Sequence, residues 1–293
     1  MLAGLPCLRA VAVNGTYMKP VFVSLVAIAL LATEARAFAG ETPTSPLHVY
    51  VAGSGAKALA AMAAPYTAST GQVVDIVRGP AGQLRQRIEG GADADVYISA
   101  DMANPQALVA QKKSTPPVIL ARNTLCALAR KDVGLTADNM LSRWLDPTVK
   151  IGTSTPGNDP GGDYAWAVFA KADSVHPGAR LILAGKAMQL VGGAATPDVP
   201  ANTNPVKYFL LSHKVDLFFS YCGAPGANVD PALVSVPIPA SLTVPVNYGM
   251  TVMLHPKDAP RQAAAERFAQ YLMSPAAQRL LSASGLIPAV VSQ

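Results

Sequence analysis

Three times in the first part of the chain, an apolar run gives way to a glycine-rich turn and then to a stretch with helical spacing. Leu47 to Ala52 has the pattern of a buried strand ending at Gly53-Ser54-Gly55, and an Ala-rich helix is expected over Ala56 to Ala68, with Leu59, Met62 and Ala63 on its apolar face. Gly71 to Val77 repeats the strand, Gly79-Pro80-Ala81-Gly82 the turn, and Gln83 to Glu89 an amphipathic helix closed by Gly90-Gly91. Ala94 to Ser99 and Asn104 to Gln111 give the third strand and helix. Strand, tight turn and helix in alternation specify a parallel βαβ sheet.

The rhythm breaks at Lys112 to Pro117, and Val118 to Arg130 is extended. It restarts with a strand at Val149 to Gly152, a long Gly/Pro loop and a helix over Tyr164 to Ala172. Further helices are expected at His176 to Val191 and Val206 to Ser212, and a strand at Leu217 to Tyr221. Val246 to Leu254 is extended again, and Ala259 to Ser282 is a long helix interrupted at Ser274-Pro275. The pattern predicts two α/β lobes joined by crossings near residues 118–123 and 243–248, the first lobe built from both ends of the chain. Strand-end loops of two such lobes face one crevice, the place where open α/β folds bind ligands.

The start of the chain has a different pattern. Met18-Lys19-Pro20 precedes an apolar run from Val21 to Ala32, and Ala35-Arg36-Ala37 and Ala37-Phe38-Ala39 follow. A basic start, an apolar stretch and an Ala-x-Ala site make a secretory signal over residues 1–39, with Met18 as an alternative start. Its roughly twelve apolar residues are too few to span ~30 Å of hydrocarbon at 1.5 Å per residue. The chain is therefore expected to be exported. With the leader set aside, the net charge falls from +5 to about +3, with no Lys/Arg run to suit a nucleic acid. Cys126 and Cys222 remain after Cys7 is removed with the leader. An even pair in an oxidising compartment permits one disulfide, and two buried free thiols are the alternative.

Catalytic signatures are missing. The four histidines show no metal-ligand spacing, and GxSxG, GxGxxG and P-loop patterns are absent. Asp95 and Asp101 could pose as an acid/base pair, but Asp101 is placed to cap the next helix. The glycine turns have another use. Gly53-Ser54-Gly55, Gly79 to Gly82, Asp159 to Asp163 and Asn202 to Pro205 each lead into a helix, whose first N–H groups and partial positive charge suit an oxyanion.

Val49 to Ser54 with its Ala-rich helix, Gly79 to Leu84, Ile88 to Ala92, Ala94 to Asp101, Asp159 to Ala165 and Phe219-Ser220-Tyr221 together resemble the periplasmic molybdate-binding proteins. The resemblance implies an α/β, two-lobe periplasmic binding protein fold (type II), each lobe a mainly parallel sheet flanked by helices, with the ligand crevice between lobes. Lobe 1 would comprise residues 47–120 and 246–293, and lobe 2 residues 121–245. It also implies that Ser54 donates a hydroxyl to the anion, Gly161 a backbone N–H and Tyr221 a phenolic hydroxyl, with Asn204 at a further donor position. Where that family has serines, this chain has Pro80-Ala81, which leaves the N–H groups of Ala81 and Gly82 as donors. Arg78, just before the turn, is a cation that could compensate.

The implied function is a periplasmic receptor that binds molybdate or tungstate, with Ser54, Ala81, Gly161 and Tyr221 on the oxyanion, and delivers it to the membrane permease of an ABC importer. It would be monomeric, with no cofactor and no catalysis, since no nucleophile–base pair is visible. A receptor for sulfate, phosphate or an organic acid, and a sensory ligand-binding protein, are the alternatives.

Overall fold

The computed structural model describes residues 45–223 and 230–289, so the expected leader lies outside the described residues. β1 (Leu47–Ala52) pairs in parallel with β2 (Val74–Gly79) on one side and β3 (Val96–Ser99) on the other. Central placement accounts for the near-continuous apolar sequence of β1, since helices cover a parallel sheet on both faces. α1 (Ala56–Thr70) buries Leu59, Met62, Ala63 and Tyr66, the positions its helical period selects, and stops at Gly71, whose φ of +75° is the left-handed cap that glycine adopts without strain. α2 (Ala81–Glu89) and α3 (Ala103–Ala110) follow β2 and β3.

β4 (Val118–Asn123) and β10 (Val246–Val252) are the two crossing segments. They pair antiparallel with each other, and β10 also runs antiparallel to β3, while the short β11 (Ile287–Pro288) closes the edge. β5 (Leu125–Arg130) begins one residue after β4 and belongs to the second sheet, so the chain passes between sheets at Thr124. There β6 (Ile151–Ser154) pairs in parallel with β7 (Ala187–Val191) and β8 (Leu217–Tyr221), whereas β5 runs antiparallel to β8 and to β9 (Leu233–Pro237). The two-lobe α/β class holds, but both sheets are mixed rather than mainly parallel. The direction of β4, β5 and β10 is set by passage between sheets, not by a helical crossover.

Two local readings need correction. The expected helix over His176 to Val191 is α6 (Ala179–Lys186) followed by β7. Gly178 turns the chain at φ +90°, and Ala187 to Val191 gives way to pairing along the open edge of β6, a tertiary demand that overrides local propensity. α5 (Pro160–Val175) starts four residues earlier than expected: Asp159 caps it by accepting from the Gly161 N–H at 2.8 Å, and Pro160 takes the first helical position. The C-terminal helix is divided at the expected Ser274-Pro275 interruption into α8 (Ala259–Leu272) and α9 (Pro275–Ala283), with Ser274 capping the second. β9 and α4 (Met140–Leu145) lie in segments where no element was expected.

Cys126 and Cys222 are joined, with Cα atoms 5.0 Å apart, which settles the choice between a disulfide and free thiols. Asp95, which is 0% exposed, is tied rather than catalytic. It accepts from Arg261 Nε at 2.6 Å and Nη2 at 3.1 Å and from the His48 N–H at 2.8 Å, and His255 Nε2 lies 2.9 Å away. Asp101 accepts from the Asn104 N–H at 3.0 Å, the capping role expected of it. The Asp95–Arg261 pair fastens α8 onto β3. Arg261→Met should therefore leave a buried carboxylate short of its main partner and cost about 3–5 kcal/mol, read as a lower urea midpoint with an unchanged slope.

Candidate functional site

A crevice of about 850 Å³ opens between the two sheets, where the carboxyl ends of β1, β2 and β3 face the turns that lead into α5 and α7 (Pro205–Leu211). Ser54, Ala81, Gly161, Asn204 and Tyr221 all line it. Gly82 does not. Its N–H is donated to the Asn158 carbonyl at 2.9 Å, on the other side of the crevice. A Cβ at Gly82 would stand 2.4 Å from the Gly157 carbonyl oxygen and 2.8 Å from that of Asn158, so the two lobes meet here backbone to backbone. The expectation that Gly82 offers its N–H to an anion is thus corrected: that donor is spent on closure. The Gly161 N–H is spent too, on the Asp159 carboxylate that caps α5. Ala81 is different. As the first residue of α2 it has an N–H that no carbonyl of its own helix can take.

Two further bonds join the lobes. Gln83 Nε2 donates to the Gly192 carbonyl at 2.7 Å, and Tyr164 Oη donates to the Ala100 carbonyl at 3.1 Å. A segment of α2, from Gly82 to Gln83, therefore docks on the Gly157–Asn158 turn and on the end of β7.

Tyr221 lines the crevice, and two tyrosines pack behind it. Tyr221 lies with its ring 6.2 Å from Tyr164 and 6.1 Å from Tyr248. The Tyr221 hydroxyl is buried and has no hydrogen-bond partner among the described residues, an arrangement that costs about 1–3 kcal/mol unless something supplies an acceptor. Burial pushes its pKa well above the ordinary tyrosine value, so it stays a proton donor. Tyr248, on β10 and 1% exposed, is pushed up to about 12 mainly by burial, and donates to Ser54 Oγ at 2.8 Å. That bond occupies an acceptor position on the serine and leaves the serine's own proton free to turn into the crevice.

Three charged or capping groups complete the lining. Arg78 is exposed and forms no ion pair among the described residues. Asn204 caps α7, its Oδ1 accepting from the Lys207 N–H at 3.1 Å. Asp159 is a half-buried carboxylate that also hydrogen-bonds the Ser154 side chain, and burial raises its pKa. Sequence reasoning missed Tyr248, Tyr164 and the charge of Asp159. Tyr248 is part of no motif and reaches Ser54 from 194 residues away, whereas Asp159 was visible as part of the turn but was not considered as a charge facing a ligand.

Residues 47–287 match the family of bacterial extracellular solute-binding proteins. An uncharacterized protein of Pasteurella multocida (strain Pm70) is 37% identical over 149 residues, a match that spans 50% of this chain and 62% of that protein. Among solved structures, the periplasmic molybdate-binding protein of Azotobacter vinelandii is 21% identical with a TM-score of 0.63, covering 84% of this chain and 100% of its own. The sulfate-binding protein of Mycobacterium tuberculosis H37Rv is 15% identical with a TM-score of 0.66, covering 84% and 88%. PEB3, a Campylobacter jejuni protein, in its L-phospholactate-bound form is 15% identical with a TM-score of 0.62, covering 82% and 99%. At these identities the structural likeness shows a shared fold.

The closure contact gives a direct expectation. Alanine is the better helix former, so Gly82→Ala should leave lobe stability unchanged or slightly raised, while its Cβ holds the lobes apart. Small-angle X-ray scattering should record a larger radius of gyration for the variant than for the parent, at an unchanged far-UV circular dichroism spectrum.

Proposed function

We propose that this chain, which belongs to the bacterial extracellular solute-binding proteins, captures a small anion in the crevice and delivers it to the permease of an ABC importer. The observation that carries the reading is the buried Tyr221 hydroxyl, unpartnered among the described residues. Tyr221 lines a crevice that also holds the Ser54 hydroxyl, oriented by Tyr248, and the Ala81 N–H, which has no partner among the described residues. These are donors, as an anion requires, and the exposed Arg78 beside them adds positive charge. The leader directs the chain to the periplasm, and closure of the lobes around a ligand forms the surface a permease reads. No histidine lines the crevice among the described residues, and Ser54 is paired with a tyrosine rather than a base, which favours binding over turnover.

Molybdate or tungstate is the ligand that the sequence resemblance favours. Two features weigh toward a different anion: the Gly82 and Gly161 N–H groups are already engaged, and Pro80-Ala81 supplies no hydroxyl. An organic acid is accordingly the leading ligand class, ahead of a bare tetrahedral oxyanion.

Calorimetric titration of the mature protein with molybdate, sulfate, phosphate and short organic acids tests the reading. One-to-one binding of at least one of these anions is expected. Ser54→Ala and Tyr221→Phe should each remove one charge-assisted hydrogen bond, about 1.5–3 kcal/mol, and weaken it roughly ten- to a hundred-fold. Equal affinity in both variants would place the site elsewhere.

A further inference from the structure

The crevice that donates to an anion also contains a carboxylate. Asp159 lines it at the seam of the two lobes, where the end of β7 passes over it: a Cβ on Gly192 would be 2.9 Å from the Asp159 Cβ and 3.5 Å from the Pro80 Cβ. No cation pairs with Asp159 among the described residues. Its neighbours of like sign, Asp163 and Asp101, add to the burial that holds its carboxyl above the usual range. Oδ1 accepts from the Gly161 N–H, and the Ser154 side chain makes a second bond to the carboxylate. A carboxylate has room for about four such bonds over its two oxygens, so acceptor capacity remains. Beside a fully deprotonated oxyanion this group must either stand as a like charge in a low-dielectric setting or be protonated, and each costs affinity.

Size points the same way. A five-atom oxyanion displaces roughly two or three waters, at ~30 Å³ each, whereas the crevice measures about 850 Å³. Val191, Val206 and Leu286 give it apolar wall that a tetrahedral ion would not use.

Building on the anion-receptor reading above, we infer that the ligand is an organic anion carrying its own hydrogen-bond donor, a hydroxyl near the charged head, and that Asp159 is the residue that selects for it. The donors Ser54, Ala81 N–H and Tyr221 take the anionic head, the apolar wall takes the carbon skeleton, and the Asp159 carboxylate accepts from the hydroxyl. A bare dianion meets the same carboxylate with nothing to donate and is rejected. The shared chemistry covers hydroxy acids and hydroxylated phosphomonoesters alike.

The test uses paired probes that differ by hydroxyl groups: lactate against propionate, and glycerol 3-phosphate against propyl phosphate, with molybdate as the bare oxyanion. Each is titrated calorimetrically into the mature protein, into Asp159→Asn and into Asp159→Ser. Asparagine and serine both cap helices about as well as aspartate, so either variant keeps α5, and an unchanged melting temperature confirms it. In the parent protein, the hydroxylated member of at least one pair should bind ten-fold or more tighter than its twin, and molybdate should bind weakly or not at all. In Asp159→Asn the preference should shrink to within about three-fold and molybdate should gain at least ten-fold. Equal binding within both pairs by the parent, or tight molybdate binding that Asp159→Asn leaves unchanged, would overturn the assignment while leaving the anion receptor standing. Failure of every anion to bind any of the three proteins would overturn the receptor reading itself.

Discussion

The approach of two bare backbones, Gly82 on one lobe and Gly157-Asn158 on the other, governs the rest of the structure. Only a residue without a Cβ brings an N–H within 2.9 Å of that carbonyl. Once the two strands of chain meet there, the first turn of α2 is fixed against the entry to α5, Gln83 reaches the end of β7, and Tyr164 reaches Ala100. The crevice is what this contact encloses. Its helix-start N–H groups are correspondingly divided: that of Gly82 holds the lobes together, that of Gly161 is taken by the cap of α5, and that of Ala81 has no partner among the described residues.

The electrostatics of the enclosed space come mainly from burial. Tyr164, Tyr221 and Tyr248 are all pushed upward by desolvation, so three phenols keep their protons at any physiological pH. Two of these protons are committed, Tyr164 to the Ala100 carbonyl and Tyr248 to Ser54, and the Tyr221 proton is the one left without a partner among the described residues. The disulfide contributes by rigidity. Cys222 directly follows Tyr221, and its bond to Cys126 on β5 pins the strand end from which the phenol projects.

Much of this architecture is legible in the sequence, for physical reasons that differ from element to element. β1 to β3 are readable because buried parallel strands need unbroken apolar runs and their turns need glycine. Ser54 and Tyr221 are found through resemblance, as residues inside recognisable segments. Ala187 to Val191 is misread because Met, Gln and Leu accept a helix as readily as an edge strand, and only the vacant side of β6 decides between them. Gly82 and Gly161 are placed correctly in their turns, but the use of each N–H depends on a partner, Asn158 across the crevice or Asp159 two residues back, that no local pattern reveals. Tyr248 is the extreme case: its partner is fixed by the strand pairing that returns the C-terminal segment to the first sheet.

The cap of α5 has one more consequence. Helix starts accept aspartate, asparagine, serine or threonine at nearly equal cost to the scaffold, yet these four differ in charge and in what they can offer a solute. At position 159 the fold is therefore almost indifferent to a choice that the ligand would feel strongly. Under the role proposed for Asp159, a change of cap there would alter the cargo while leaving the scaffold intact.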